Sequence, residues 1–110
     1  MRAARWHGRR DLRVDCVPVP EPGPAQALVA VEWCGICGTD LEEYRDGPVN
    51  LPVAAPHPLS GRTAPLALGH EIVGRIARAA DGGPPKGTRV IPDVVVGCGA
   101  LVTVHGDPGK

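Results

Sequence analysis

The apolar positions of this chain fall in short, β-branched runs separated by turn signals, a pattern of strands rather than long helices. Residues 2–6 (RAARW) predict a first strand, with a turn at His7-Gly8. Residues 11–17 (DLRVDCV) alternate, which puts Leu12, Val14 and Cys16 on one face. The stretch PVPEPGP at 18–24 is too rich in proline for a helix or a central strand. Further strands are expected over 27–33 (ALVAVEW), 71–79 (EIVGRIARA) and 88–96 (TRVIPDVVV), with a turn at 81–87 (DGGPPKG) before the last. Gly74 marks an expected bulge or close backbone approach, and Pro92 an interruption.

A single short helix is predicted, beginning near Thr39. There Thr39-Asp40-Leu41-Glu42 matches a capping box, in which the first residue caps the helix and Glu42 reaches back. It should stop by Gly47-Pro48. From 48 to 65 runs a long loop with five prolines, a length that in a small domain often serves function. The expected class is mainly β: a largely antiparallel barrel or sandwich with one short helix and one long loop. No internal repeat or linker divides it.

Composition narrows the function more than the fold. At 110 residues the chain is one small domain, large enough for a core without disulfides. Formal net charge is zero, so no basic stripe points to nucleic acid. The start, MRAARWHGRR, lacks the apolar segment of a signal peptide, and no apolar run approaches a membrane span. A cytoplasmic protein is expected, in which Cys16, Cys34, Cys37 and Cys98 are thiols or metal ligands rather than disulfides.

Two motifs carry chemistry. In WCGICGTD, Cys34 and Cys37 have the spacing of a zinc knuckle, but Cys98 is the only cysteine downstream and a second pair is lacking. A redox pair would sit at a helix start inside a βαβ unit, which the strand pattern does not offer; no Cys34–Cys37 disulfide is expected. The second motif is Leu68-Gly69-His70-Glu71. Adjacent side chains on a strand point apart, so His70 and Glu71 share one metal only at a loop or strand end, which Gly69 makes feasible. Cys37, His70 and Glu71 would offer sulfur, nitrogen and oxygen, a set suited to a zinc that keeps an open position.

CGICGTDL followed downstream by LGHEIVG resembles the zinc-dependent medium-chain alcohol dehydrogenases. The opening RWHGRRDLRV and the loop HPLSGRTAPLALGHE resemble their butanediol and polyol dehydrogenase branch. The resemblance implies a GroES-like β-barrel over residues 1–100, with 101–110 a tail unlike the family. It implies Cys37 and His70 as zinc ligands and Glu71 as a carboxylate on the zinc, directly or through water. Thr39 would receive the substrate hydroxyl proton. Asp40 would orient the ligand histidine, and Glu42 stands where many relatives place the histidine that ends the proton relay. Hydride would pass from a small alcohol or diol to NAD or NADP, giving a ketone. The full-length family also suggests a homo-oligomer.

Leu101 and Val104 stand where the family's structural zinc lobe has cysteines, so no second zinc is expected. The Rossmann domain that normally accompanies the barrel is absent from these residues, and Gly97-Cys98-Gly99 opens no G-x-G-x-x-G. A truncated chain, inactive as a dehydrogenase by itself, is therefore expected. The rival expectation is a non-catalytic barrel that binds metal or a partner protein. Cys34 is expected to be a buried bystander. His7, His57 and His105 are expected on the surface, His57 in the long loop near a possible substrate path.

Overall fold

The computed structural model describes residues 1–93 and the backbone of residues 103–106. Its elements are β1 (Arg2–Gly8), β2 (Asp11–Cys16), β3 (Leu28–Gly35), α1 (Gly38–Asp46), β4 (Leu66–Ala67), β5 (Glu71–Arg78), β6 (Arg89–Val90) and β7 (Thr103–Gly106). They form a three-stranded sheet in the order β2-β1-β4 and a four-stranded sheet in the order β6-β5-β3-β7. The mainly β architecture with one short helix is as expected.

The strand ends are set by where backbone partners run out. β1 and β2 pair antiparallel from Arg2 with Cys16 to Gly8 with Asp11, with an irregularity between Trp6 and Gly8. The terminal ammonium of Met1 donates to the Val17 carbonyl at 2.7 Å, and the Val17 N–H returns to Met1 at 2.9 Å. The turn falls at Arg9-Arg10 rather than His7-Gly8. Arg10 takes φ 56°, a left-handed conformation unusual for arginine. Its N–H donates to the Tyr44 carbonyl at 2.7 Å, which ties the turn to α1 and explains the displacement.

β3 and β5 form the central antiparallel pair, with a register shift between Val31 and Trp33. Gly74 faces Val31 within that pair. A Cβ there would collide with the Ala30 carbonyl, so the expected close approach is present and only glycine permits it. One expectation changes, and one detail is added. The pairs are largely antiparallel, as expected, with β7 parallel to β3. The strand foreseen from Thr88 shrinks to Arg89–Val90, with irregular chain through Asp93. Its remainder, Cys98 and Leu101 lie outside the described residues, as do residues 107–110 of the expected tail.

The core joins both sheets. Trp6, Val29, Ile72 and Ile76 are the buried apolar residues among those described, and Trp6 is 1% exposed. With no phenylalanine in the chain, the indole fills the volume that several rings share in other small domains. The face of β2 that carries Leu12, Val14 and Cys16 does not join the core: all three are exposed. The alternation is real, but among the described residues nothing buries those side chains.

Trp6 also reaches into α1. Its Nε1–H donates to the Glu43 carbonyl at 3.1 Å. The Arg9 guanidinium donates to the Asp46 and Gly47 carbonyls at 3.2 and 3.4 Å. Carbonyls at a helix C-terminus have no partner within the helix. Here the Glu43 carbonyl also accepts the N–H of the capping Gly47 at 2.9 Å, and the β1–β2 hairpin supplies partners for the later ones; positive charge there also suits the helix dipole. Trp6→Ala should lower the unfolding free energy by about 3–5 kcal/mol, and Trp6→Phe, which keeps a ring but loses the N–H, by about 1–3 kcal/mol. Urea titration followed by far-ultraviolet circular dichroism measures both.

Candidate metal centre

The site assembles where β3 ends, α1 begins and β5 begins. Cys37 is the N-cap residue of α1, with extended backbone (φ −94°, ψ 158°). The helix therefore starts earlier than the sequence suggests. Asp40, not Glu42, reaches back: its Oδ2 accepts the Cys37 N–H at 3.0 Å. Thr39 stands in the first turn rather than at the cap. The three-residue spacing of a capping box is kept but shifted by two positions, and Glu42 is left exposed on the outer surface of the helix.

Gly69 brings the second half of the site to the first. Its φ of +103° is open only to glycine without strain. A Cβ at this position would also lie 2.5 Å from the Cys34 sulfur. After this turn His70 stands just before β5 and Glu71 is the first residue of the strand. Being at the strand end, the two neighbouring side chains converge. One ligand atom from each of Cys37, His70 and Glu71 lies within 4.8 Å of the others. Gly35 pairs with Glu71 across the sheet, and a Cβ on it would stand 2.8 Å from Glu71 Oε2. Its bare backbone leaves the space that the carboxylate occupies.

Asp40 links the parts. Besides Cys37, its Oδ1 accepts the Gly69 N–H at 3.3 Å and lies 3.6 Å from His70 Nδ1. The carboxylate thus touches the residues beside or at both nitrogen and sulfur donors, while its side chain is only 12% exposed. A tetrahedral ion with bonds of about 2.0–2.3 Å needs donors roughly 3.3–3.8 Å apart. The observed cluster is within a small closing movement of that spacing. Soft sulfur with imidazole and carboxylate fits a zinc-class ion and is a poor match for calcium or magnesium, which take oxygen donors.

Next to this cluster opens a cavity of about 240 Å³, lined by Thr39, Asp40, Glu43, Asn50, Leu51, His70 and residues 67–69. Thr39 and His70 therefore face one space. Glu42 does not line it. The residue the sequence reading missed is Glu43, 4% exposed and the only buried residue of α1. Its Oε1 accepts the Val49 N–H at 2.7 Å and the Leu51 N–H at 3.5 Å, and its Oε2 the Asn50 N–H at 2.9 Å. The signal was present: Glu43 follows Thr39 by four positions and so shares its helix face. Asn50 and Leu51 carry no signal, because the path of a proline-rich loop is not written in a periodicity.

Cys34 is a correction. It is exposed, not buried, although it does sit beside the site. Its sulfur lies in the corner under Gly69, where partial loss of solvent pushes the thiol pKa up, and the Asp40 charge adds to this. The Glu71 charge acts in the same direction, against a lowering by a Glu71 backbone hydrogen bond. A thiol held protonated is the opposite of a redox-active one. His57 is exposed, in keeping with expectation, and its Nδ1 accepts N–H groups of its own loop. His7 is half-buried instead, 2.6 Å from Asp15. The side chain of His105 lies outside the described residues.

Residues 23–107 match the family of alcohol dehydrogenase GroES-like domains. The chain is 45% identical over 82 residues to (R,R)-butanediol dehydrogenase of Bacillus subtilis (strain 168), covering 74% of this chain and 24% of that protein. It is 35% identical over 72 residues to sorbitol dehydrogenase of Pongo abelii, covering 66% of this chain and 18% of that protein. It superposes on the crystal structure of 2R,3R-butanediol dehydrogenase from Bacillus subtilis with a TM-score of 0.77 at 42% identity, over 82% of this chain and 26% of that one. A Sinorhizobium meliloti 1021 protein assigned as a zinc-binding dehydrogenase, with NADP bound, gives a TM-score of 0.69 at 33% identity, over 91% of this chain and 26% of that one. The chain spans about a quarter of the length of the curated relatives it matches. No described helix is long and apolar enough to cross a membrane.

The raised thiol pKa has a measurable consequence. In the metal-free chain, the pH profile of iodoacetamide alkylation at Cys34 should lie at higher pH than that of free cysteine, because the thiolate forms later. Mass spectrometry of the Cys34 peptide after timed alkylation reads the profile directly.

Proposed function

Because the chain belongs to the family of alcohol dehydrogenase GroES-like domains, we propose that it is the zinc-binding, substrate-side domain of an NAD(P)-dependent alcohol or polyol dehydrogenase. The reaction read from it is oxidation of a secondary alcohol or diol to a ketone, and the reverse. The observation that carries this is the convergence of Cys37, His70 and Glu71 within 4.8 Å beside a cavity. Zinc bound by these residues would polarise an alcohol or carbonyl oxygen.

The chain's own groups have distinct parts. Cys37 and His70 would hold the ion, with Glu71 on it directly or through water. Asp40 orients His70 from the Nδ1 side and keeps the Cys37 backbone in place. Thr39 lines the cavity and takes the proton of the substrate hydroxyl. Glu42 is exposed on the helix and does not line the cavity, so the proton that Thr39 passes on leaves through the cavity's solvent rather than through Glu42. Nicotinamide binding is assigned to residues outside these 110, in line with the share of the NADP-bound relative that the chain leaves uncovered. On this reading the isolated chain reduces no NAD(P)⁺. A cytoplasmic location is part of the same proposal, supported by the free thiols of Cys16, Cys34 and Cys37.

Metal analysis of the purified chain should give one equivalent of zinc, lost in Cys37→Ala and in His70→Ala. A wild-type chain free of zinc after refolding with the metal would overturn the proposal. Asp40→Ala should keep the stoichiometry but weaken zinc about 10–100-fold in a chelator competition. In an enzyme built on this domain, Thr39→Ala should lower kcat by about 10²-fold or more with zinc retained. Steady-state rates with 2,3-butanediol measure that loss.

A further inference from the structure

Glu43 is a buried carboxylate that the chemistry above does not use. The cavity beside the metal ligands has three sides. Helix α1 gives Thr39, Asp40 and Glu43, the chain entering β5 gives residues 67–70, and the long loop gives Asn50 and Leu51. Each of the last two sides is tied to α1 by one carboxylate. Asp40 accepts the Gly69 N–H at 3.3 Å, and Glu43 accepts the N–H groups of Val49, Asn50 and Leu51 at 2.7, 2.9 and 3.5 Å. The two ties differ in what stands behind them. The Gly69 turn leads straight into β5, which pairs with both β3 and β6. Residues 49–51 belong to no helix or strand, and among the described residues their hydrogen bonds go to Glu43 alone. Farther along, the Ala64 N–H donates to the Pro52 carbonyl at 2.8 Å, which holds the loop only to itself. One carboxylate therefore places the loop side of the cavity.

We infer that Glu43 is a positioning residue for substrate size: its grip on the backbone of residues 49–51 sets where the loop side of the cavity stands, and so how bulky an alcohol the cavity admits. The inference rests on the function proposed above and concerns the same cavity. At about 240 Å³ that cavity is smaller than the roughly 300–1,000 Å³ of pockets for drug-sized ligands, so a small shift of one side changes a large share of its space. Selection by size needs a wall that does not yield to the ligand. The loop gains no stiffness there from regular structure. The buried carboxylate supplies it, because hydrogen bonds from backbone N–H groups to an ionised acceptor are about twice as strong as neutral ones. Both of its oxygens are engaged as acceptors. A glutamine would replace one acceptor with an NH2 that faces another N–H, so the grip would be lost on one side at nearly constant volume. The backbone bond from Trp6 to the Glu43 carbonyl is untouched by that change. The loop would then give way to a bulky ligand and hold a small one less closely.

The zinc-loaded full chain tests this by nuclear magnetic resonance. In Glu43→Gln, amide exchange at Val49 or Asn50 should quicken about tenfold or more, while Val29 and Ile76 in the core keep their protection. Titrations with 2-butanol and with 1-phenylethanol, read from the amide shifts of Gly69 and His70, give the affinity of a small and of a bulky secondary alcohol. The variant should move the ratio of the two affinities about fivefold or more toward 1-phenylethanol. Unchanged exchange at 49–51 overturns the inference. So does a ratio within about twofold of wild type, since a purely structural role would weaken both alcohols alike or neither. If Glu43→Gln loses core protection as well, Glu43→Asp decides: it keeps the charge, shortens the reach, and must move the ratio in the same direction. A wild-type chain that binds zinc but responds to neither alcohol also overturns the inference. Failure of zinc binding strikes the function proposed above instead, and the same exchange and titrations on the metal-free chain still decide whether Glu43 sets the size of the cavity.

Discussion

The arrangement depends on how the C-terminal half of α1 is held against the β1–β2 hairpin. A nine-residue helix is too short to persist by itself. This one buries no apolar residue of its own among those described; what it buries is Glu43. Its anchorage is therefore polar. Trp6, Arg9 and Arg10 satisfy the carbonyls of Glu43, Asp46, Gly47 and Tyr44, and the indole that makes one of these bonds is the most buried large side chain described. Core packing and helix placement are thus one event. Loosening Trp6 frees the helix, and with it Cys37, Thr39 and Asp40.

From that anchor the site is built by two glycines and one carboxylate. Gly69 provides a backbone turn that other residues would strain to adopt, and Gly35 leaves room for Glu71. Asp40 then joins the helix start to the Gly69 turn by hydrogen bonds to both backbones. The same carboxylate that finishes the helix also faces His70, so the geometry of the ligands and the start of α1 are fixed together. Each donor is contributed by an element end, where backbone direction changes and neighbouring side chains need not point apart.

Several of these relations were legible in the residues alone. The strands β1, β2, β3 and β5 were, because period-two alternation and turn residues report directly on backbone conformation, whereas the two-residue β4 at Leu66–Ala67 carries no such pattern. Cys37, His70 and Glu71 were also legible as a candidate donor set, which the fold brings within 4.8 Å, since their chemistry is unusual in combination and Gly69 announces a turn. The cap was misplaced because Thr39 and Cys37 both precede an acid by the spacing that a cap needs, at Glu42 and Asp40 respectively; only the helix start itself chooses between them. Cys34 was misjudged because burial is a property of what packs over a residue, and a strand pattern does not name its neighbours. Leu12 and Val14 make the same point: alternation gives a face but not its cover.

The amino-acid sequence by itself determined the class of fold, the candidate donor set of Cys37, His70 and Glu71 and the long loop as the main departure from regular structure, since each follows from local propensity or from side-chain chemistry. Tertiary structure alone decided three other things. It set the distance among Cys37, His70 and Glu71, which come from opposite ends of a long excursion. It placed Glu43 inside and Glu42 outside, one helix position apart, according to which side the loop crosses. It also turned Asn50 and Leu51 onto the cavity. These depend on contacts between residues remote in the chain, whose energies exist only once the backbone has brought them together.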